Sequence, residues 1–135
     1  MEIIIAVDFD GILVADQFPY IGTPNYRMIN FVKSLIEDGH EVVLWTSRVG
    51  EPLHAALDWC EKQDIKFCAI NDNAPSNKAK YEAQYPQGTR KVSADIYIDD
   101  HNPQFIVDRI NLGQALATYN IIQKVKEVIS CQEEN

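Results

Sequence analysis

The sequence predicts an α/β fold: a single three-layer Rossmann-like domain with a mainly parallel sheet and no cap domain. Four short apolar runs lack the polar alternation of a half-exposed strand, which is typical of strands buried on both faces of a parallel sheet. Segments with helical periodicity separate these runs, as in right-handed strand–helix–strand units. The four runs are Ile3–Val7, Val42–Trp45, Phe67–Ile70 and Ile96–Ile98.

Three helices are expected between and after these strands. The first has clear boundary signals, with Thr23 as a capping residue, Pro24 at the first helical position and Gly39 at the end. The second and third helices each carry an apolar face. They are predicted over about Glu51–Gln63 and Gln114–Ile129.

One domain is expected to span residues 1–135, a length that buries roughly two thirds of the surface of the unfolded chain. Residues 11–22 are predicted to form a short flap after the first strand, and residues 131–135 a disordered tail. Between Thr46 and Lys91, the longest stretch without a predicted element runs over 71–90. Segments below ~40 residues seldom fold alone, so the sequence has no room for a cap domain.

Composition restricts the possible partners. The net charge is −8, and the 12 Lys and Arg residues form no basic run, so bulk nucleic-acid binding is not expected. The three cysteines lack metal-binding spacing, which indicates a reduced, cytoplasmic protein. No basic segment precedes the first apolar run, and no apolar stretch approaches the ~18 residues of a membrane span. We therefore expect no membrane association.

Acidic residues follow the first and last strands, where ligands of parallel sheets bind. If these strands are neighbours, four carboxylates converge, and two of them ~4 Å apart would repel by about 4 kcal/mol at an effective dielectric of 20. A divalent cation relieves this repulsion, and oxygen ligands suit Mg²⁺. The predicted metal ligands are Asp8, Asp10, Asp99 and Asp100. Whether Asp99 or Asp100 contacts the metal directly stays open, with Asp100 preferred.

The strand ends also resemble the motifs of the haloacid dehalogenase superfamily. VDFDGIL is similar to its first motif and VVLWTSR to its second, while IYIDD matches the Asp-Asp form of its fourth. Lys91 stands where the third-motif lysine could fall. The motifs occur in the family's order over residues 3–100, and KVSADIYIDD resembles a small capless branch of that superfamily.

The resemblance implies a Mg²⁺-dependent phosphatase. Asp8 would attack phosphorus and form an aspartyl-phosphate, which splits hydrolysis into two easier steps. Asp10 would protonate the leaving oxygen and then activate water, and its backbone carbonyl would bind the metal. Positive charge and hydroxyl donors would hold the phosphoryl oxygens. The candidate phosphate-binding residues are Thr46, Ser47, Arg48 and Lys91.

Several residue assignments have alternatives. Lys78 and Lys80 compete with Lys91 for the catalytic role, and either Thr46 or Ser47 could instead cap the second helix. Arg48 could simply lie at the start of that helix. On the flap, Phe18, Pro19 and Tyr20 either contact substrate or pack onto the body. His101 is interpreted as an exposed residue without a role.

Two other functions compete with the phosphatase. A receiver-like signalling domain also has a parallel sheet, an acidic pair, a phosphorylated Asp and a Lys, but its acceptor would lie on the third strand. A catalytically weak relative of the superfamily that acts as a binding protein is the second alternative. The phosphorylated substrate, whether small molecule or macromolecule, stays open among nucleotides, sugar phosphates and phosphoproteins, as does the oligomeric state.

Overall fold

The structure, a computed structural model, describes residues 3–82 and 91–101. Strands and helices alternate in this part of the chain, which confirms the predicted α/β class. The elements are β1 (Ile4–Val7), α1 (Tyr26–Glu37), β2 (Glu41–Leu44), α2 (Gly50–Lys62), β3 (Ala69–Ile70), α3 (Pro75–Glu82) and β4 (Ile96–Ile98). The predicted helix at 114–129 and the predicted tail at 131–135 lie outside the described residues.

The four strands form one parallel sheet in the order β3-β2-β1-β4. Ile5 of β1 pairs with Val42 of β2 on one side and with Ile96 of β4 on the other. The chain therefore builds β1, β2 and β3 in one direction and then returns to the other side of β1. The topological switch lies between β1 and β4, and parallel sheets bind ligands at the carboxyl ends of such strands.

The main core lies on the sheet face that α1 and α2 cover. It joins β1 to the apolar stripe of α1 and to Ala56 and Cys60 of α2. A smaller cluster on the other face combines Val43, Ala74 and Val92. Ala74 directly precedes α3, so the chain crosses from one face of the sheet to the other between β3 and β4. This crossing is what brings β4 beside β1.

Helix α1 starts later than its sequence signals predict. Asn25 is the N-cap, and its side chain accepts a hydrogen bond from the backbone N–H of Met28 at 3.2 Å. The predicted cap, Thr23, is wrong because its carbonyl accepts a bond from Ala15, while Pro24 forms a β-bridge with Val14. These contacts keep both residues extended. Residue 39 ends the helix as predicted, with φ at +91°.

Hydrophobic periodicity predicts helix α2 but not helix α3. Helix α2 falls within one residue of its predicted bounds, but its N-cap is Val49, so neither Thr46 nor Ser47 caps it. Helix α3 was not predicted, because its sequence, PSNKAKYE, has no apolar stripe. No helix in the described parts of the chain is long and apolar enough to cross a membrane.

The flap, residues 11–22, has two parts with different environments. Ile12, Leu13 and Val14 are buried in the core and fix the base of the flap. Residues 16–20, the flap tip, are all exposed. The structure thus divides the predicted flap into a packed base and an exposed tip of five residues.

Candidate active site

A cavity of about 310 Å³ opens at the carboxyl ends of β1, β2 and β4. Six of the predicted site residues line it, together with three residues that the sequence left without a firm role. The predicted residues are Asp8, Asp10, Thr46, Ser47, Arg48 and Asp100; the other three are Asp16, Phe18 and His101.

Asp8 occupies the end of β1 at the switch point. Its backbone N–H donates to the carbonyl of Ile98 at 3.0 Å, and its Oδ1 accepts from the N–H of Phe9 at 2.8 Å. Burial raises the pKa of Asp8 from 3.8 to about 7, the bond from Phe9 opposes this, and the carboxylates of Asp99, Asp100 and Asp10 raise it further. Among the described residues, the cavity therefore concentrates negative charge at Asp8 that no cation offsets.

The acidic pair after β4 forms a compact group with His101. The Oδ1 of Asp99 accepts from the backbone N–H of His101 at 2.8 Å. The Nδ1 of His101 lies 3.6 Å from Asp99 Oδ1 and 3.7 Å from Asp100 Oδ1. Within the described residues these three side chains could present ligand atoms within 4.8 Å of one another. His101 therefore belongs to the cavity, and its position directly after the acidic pair was the signal for this.

Asp100 is the more enclosed member of the pair, with its side chain 18% exposed against 40% for Asp99. Its pKa is raised, first by burial and then by a hydrogen bond with Asp99 that favours the protonated form. Asp100 lines the cavity, whereas Asp99 does not. Of the two acids, Asp100 is therefore the one that faces the cavity.

Gly11 allows the loop after β1 to approach Asp100. Its φ is +84°, which an L-residue with a side chain rarely adopts. A Cβ atom at this position would lie 2.2 Å from Asp100 Oδ2 and 2.7 Å from its Cγ. Glycine at residue 11 is therefore needed both for the turn and for the position of Asp100.

Arg48 makes an ion pair with Asp10 inside the cavity wall. Its Nε and Nη2 donate to the two carboxylate oxygens at 2.7 and 2.8 Å. The remaining N–H groups donate to three carbonyls, those of Pro19 (3.2 Å), Tyr20 (2.8 Å) and Pro52 (3.0 Å). A guanidinium has five N–H donors, so all of them are used. The sequence predicts that Arg48 binds phosphate, but in this structure Arg48 has no N–H group left to donate to one.

Thr46 is held by Asn71, the first residue after β3. The backbone N–H of Thr46 donates to Asn71 Oδ1 at 2.7 Å, and Asn71 has a positive φ of 50°. The Thr46 Oγ1 accepts from the N–H of Arg48 at 3.1 Å, which leaves its hydroxyl proton to donate elsewhere. Ser47 is exposed and lines the cavity beside it.

The candidate lysines lie outside the cavity lining. Lys91 is exposed, with its Nζ 6.0 Å from the ring centroid of Tyr97. Lys78 pairs with Asp72 at 2.8 Å and lines a separate cleft next to β3. Lys80 is on α3 and also does not line the cavity. The structure brings Asp8, Asp10, Asp100 and the hydroxyls of Thr46 and Ser47 to one cavity but does not bring any of these three lysines to its lining.

In comparisons with known proteins, the chain matches one solved structure over most of its length. No protein-family model and no curated protein matches the chain. The fold is similar to the solved structure of a conserved protein from Bacteroides thetaiotaomicron, with a TM-score of 0.73 and 31% sequence identity. The match covers 92% of each chain.

Proposed function

The chain belongs to the same family as the conserved Bacteroides thetaiotaomicron protein, and we propose that it is a Mg²⁺-dependent phosphomonoester hydrolase with Asp8 as nucleophile. One observation carries the proposal. The pairing of β1 with β4 brings Asp8 beside Asp99 and Asp100, in a cavity that also holds the hydroxyl of Thr46. The resemblance of these strand ends to haloacid dehalogenase motifs gives the same assignment.

The residues of the cavity fit a magnesium ion. Asp8 and Asp100 offer carboxylate oxygens, the resemblance implies a third oxygen from the backbone carbonyl of Asp10, and hard oxygen donors are what Mg²⁺ prefers. The raised pKa values of Asp8 and Asp100 support the fit, because they result partly from repulsion that a cation would remove. Bound there, Mg²⁺ would neutralise charge that develops on the transferring phosphoryl group.

Asp8 and Asp10 have different roles in the reaction. The ionised carboxylate of Asp8 attacks phosphorus, the bond to the leaving oxygen breaks, and an aspartyl-phosphate forms. In its protonated form Asp10 donates a proton to that leaving oxygen, and the resulting carboxylate, which pairs with Arg48, takes a proton from the water that attacks the aspartyl-phosphate. The free hydroxyl proton of Thr46 donates to a phosphoryl oxygen and orients it. Lys91 is retained as the proposed cation for the phosphoryl group, since it matches the motif.

The substrate must reach an open cavity. A second cleft of about 750 Å³ adjoins it, and Asp16 and Asp100 line both. This cleft provides space for the alcohol part of a phosphoester next to the reacting group. The free thiols of Cys60 and Cys68 fit a reducing cytoplasm, where we place the activity.

The test is hydrolysis of p-nitrophenyl phosphate with and without Mg²⁺ by the wild type and by Asp8→Asn. We expect metal-dependent turnover in the wild type and none in Asp8→Asn, because the amide cannot attack phosphorus. Asp58→Asn is the matched control, since Asp58 is exposed on α2 outside the cavity lining. Turnover by folded Asp8→Asn at the wild-type rate would contradict the proposal. If the wild type is active, a screen of phosphorylated metabolites would define the substrate.

A further inference from the structure

The contacts of Arg48 join three separate parts of the protein. The side chain is 1% exposed and lies between Asp10 on the loop after β1, Pro19 and Tyr20 on the flap tip, and Pro52 on α2. These positions lie 4 to 38 residues from Arg48 in sequence. One buried side chain therefore holds the acid–base candidate, the flap and a helix in a single arrangement.

We propose that Arg48 is a positioning residue that fastens the flap tip over the cavity and orients the carboxylate of Asp10 for proton transfer. The inference rests on the proposed function for the role of Asp10 but not for the attachment of the flap. It differs from the sequence interpretation, in which Arg48 binds phosphate directly.

The flap tip depends on Arg48 for its attachment. Among the described residues, the other hydrogen bonds of residues 16–20 stay within the tip: Tyr20 N–H donates to Gln17, and Phe18 N–H to Asp16. The bonds from Arg48 to the carbonyls of Pro19 and Tyr20 are those that connect the tip to the body. Without Arg48 the tip would lose this connection, and its internal turn would open more readily.

Aromatic contacts strengthen the same arrangement. The Cζ of Arg48 lies 4.9 Å from the ring centroid of Phe9, in the core, and 5.3 Å from that of Phe18, on the flap tip. Both distances are within the range of cation–π attraction. Phe18 also lines the cavity, so the group that Arg48 holds in place is part of the cavity wall.

The orientation of Asp10 follows from the shape of the guanidinium. Two parallel N–H···O bonds fix the plane of a carboxylate as well as its position. A lysine retains the charge but has no rigid fork, so it cannot fix that plane. Arg48→Lys should therefore preserve charge balance with Asp10 and still disturb both its direction and the flap.

The first measurement is hydrogen–deuterium exchange of peptides that cover residues 16–20, which requires no activity. We expect exchange in Arg48→Lys and Arg48→Met to be about tenfold faster or more than in the wild type, because backbone amides exchange when local structure opens. Arg27→Lys is the control, since Arg27 is exposed on α1 and makes no described contact with the tip. Unchanged exchange in Arg48→Lys overturns the attachment of the flap. If Arg48→Met does not fold, Arg48→Lys decides.

The second measurement compares p-nitrophenyl phosphate with phenyl phosphate, whose leaving group needs protonation more. A misdirected Asp10 should cost Arg48→Lys ~10²-fold more in kcat/KM on phenyl phosphate than on p-nitrophenyl phosphate, within the range of general acid catalysis, because kcat/KM reports the step in which the leaving group departs. An equal loss of kcat/KM on both substrates overturns the orienting role, because a purely structural defect would not distinguish them. If the wild type hydrolyses neither ester, the proposed function fails, while the exchange result still decides the attachment of the flap.

Discussion

The backbone of Gly11 lies so close to Asp100 that a Cβ atom on residue 11 would be 2.2 Å from the Oδ2 of that carboxylate. The loop that follows β1 and the acid that follows β4 therefore fit together only because residue 11 has no side chain. Since both lie at the end where β1 and β4 pair, this contact sets how near Asp100 comes to Asp8 and Asp10.

We expect Gly11→Ala to weaken Mg²⁺ binding in addition to straining the backbone. Alanine at a positive φ costs about 1 kcal/mol in stability, and at residue 11 the methyl group would also displace Asp100. Mg²⁺ should then stabilise the variant less than the wild type, because the stabilisation by a bound ligand increases with the logarithm of its affinity. The measurement is the Tm with and without Mg²⁺, together with the rate on p-nitrophenyl phosphate.

Gly50→Ala provides the matched control for this prediction. Gly50 also has a positive φ, of 58°, but a Cβ there would meet nothing within 4 Å. Both variants should lose comparable stability from the backbone, whereas only Gly11→Ala should lose the response to Mg²⁺. Equal Mg²⁺ shifts in the two variants would show that Asp100 does not contribute to a metal site.

The sheet and the acidic strand ends were predictable because short continuous apolar runs mark buried parallel strands. The runs ending at Val7 and Ile98 end at the same residues in the structure, so the acids that follow them could be assigned to one edge. Helix bounds were less predictable where tertiary contacts compete with local signals. Thr23 carries a capping signal, yet its hydrogen bond with Ala15 leaves Asn25 as the N-cap.

The role of Arg48 could not be predicted from local sequence. Its partners Asp10, Pro19 and Tyr20 are 28 to 38 residues away, and two of them contribute carbonyl oxygens that any residue type would supply. The segment TSR therefore indicated a basic residue at the correct edge but not the direction of its side chain. The metal site and the chemistry stay predictions.

The stability of the metal-free protein should depend on pH through Asp8. Its pKa is about 7 in the folded protein against 3.8 in the unfolded chain, so the folded state binds the proton more tightly. The resulting stability is present below about pH 4 and is lost as the pH rises through about 7. Asp100 shifts in the same direction. Mg²⁺ binds the ionised carboxylates, so its stabilising effect should increase over the same interval.

The measurement is the Tm from about pH 5 to about pH 8, in EDTA and in excess Mg²⁺. The difference between the two curves should widen with pH in the wild type. Asp8→Asn has no titrating group at this position, so its metal-free Tm should fall less over the interval. A difference that stays constant with pH in the wild type would argue against Asp8 as a group that the metal binds.

Mutation of Lys91 and mutation of Lys78 should have different effects on activity. If Lys91 supplies charge to the phosphoryl group, Lys91→Met should lower kcat by about 10²-fold, the usual scale for one electrostatic contact in the transition state. Lys78 pairs with Asp72 next to a different cleft, so Lys78→Met should retain the wild-type rate. The assay is steady-state hydrolysis with Mg²⁺. Retained activity in Lys91→Met would show that another group supplies this charge.

The last prediction separates a phosphatase from a receiver-like domain, and it depends on Asp10. In a phosphatase this residue assists both steps, so Asp10→Asn should slow hydrolysis of the aspartyl-phosphate by ~10²–10⁴-fold. With p-nitrophenyl phosphate the first step needs little protonation, because the leaving group is stable as an anion. The phosphorylated form of Asp8 should therefore accumulate in Asp10→Asn and stay undetected in the wild type.

The experiment traps phospho-Asp8 by rapid acid quench or borohydride reduction in the wild type, in Asp10→Asn and in Asp16→Asn. Asp16 also lines the cavity but makes no contact with Arg48, so its variant is the control for loss of one negative charge. Because Asn would leave the buried guanidinium of Arg48 without its carboxylate partner, Asp10→Asn must first show a cooperative thermal transition. A phosphatase gives an adduct that accumulates in Asp10→Asn alone. A receiver would instead keep its phosphoryl group for minutes in the wild type, and mutation of Asp10 would not change that lifetime. The reason is that a receiver uses an acid near this position for metal binding rather than for proton transfer.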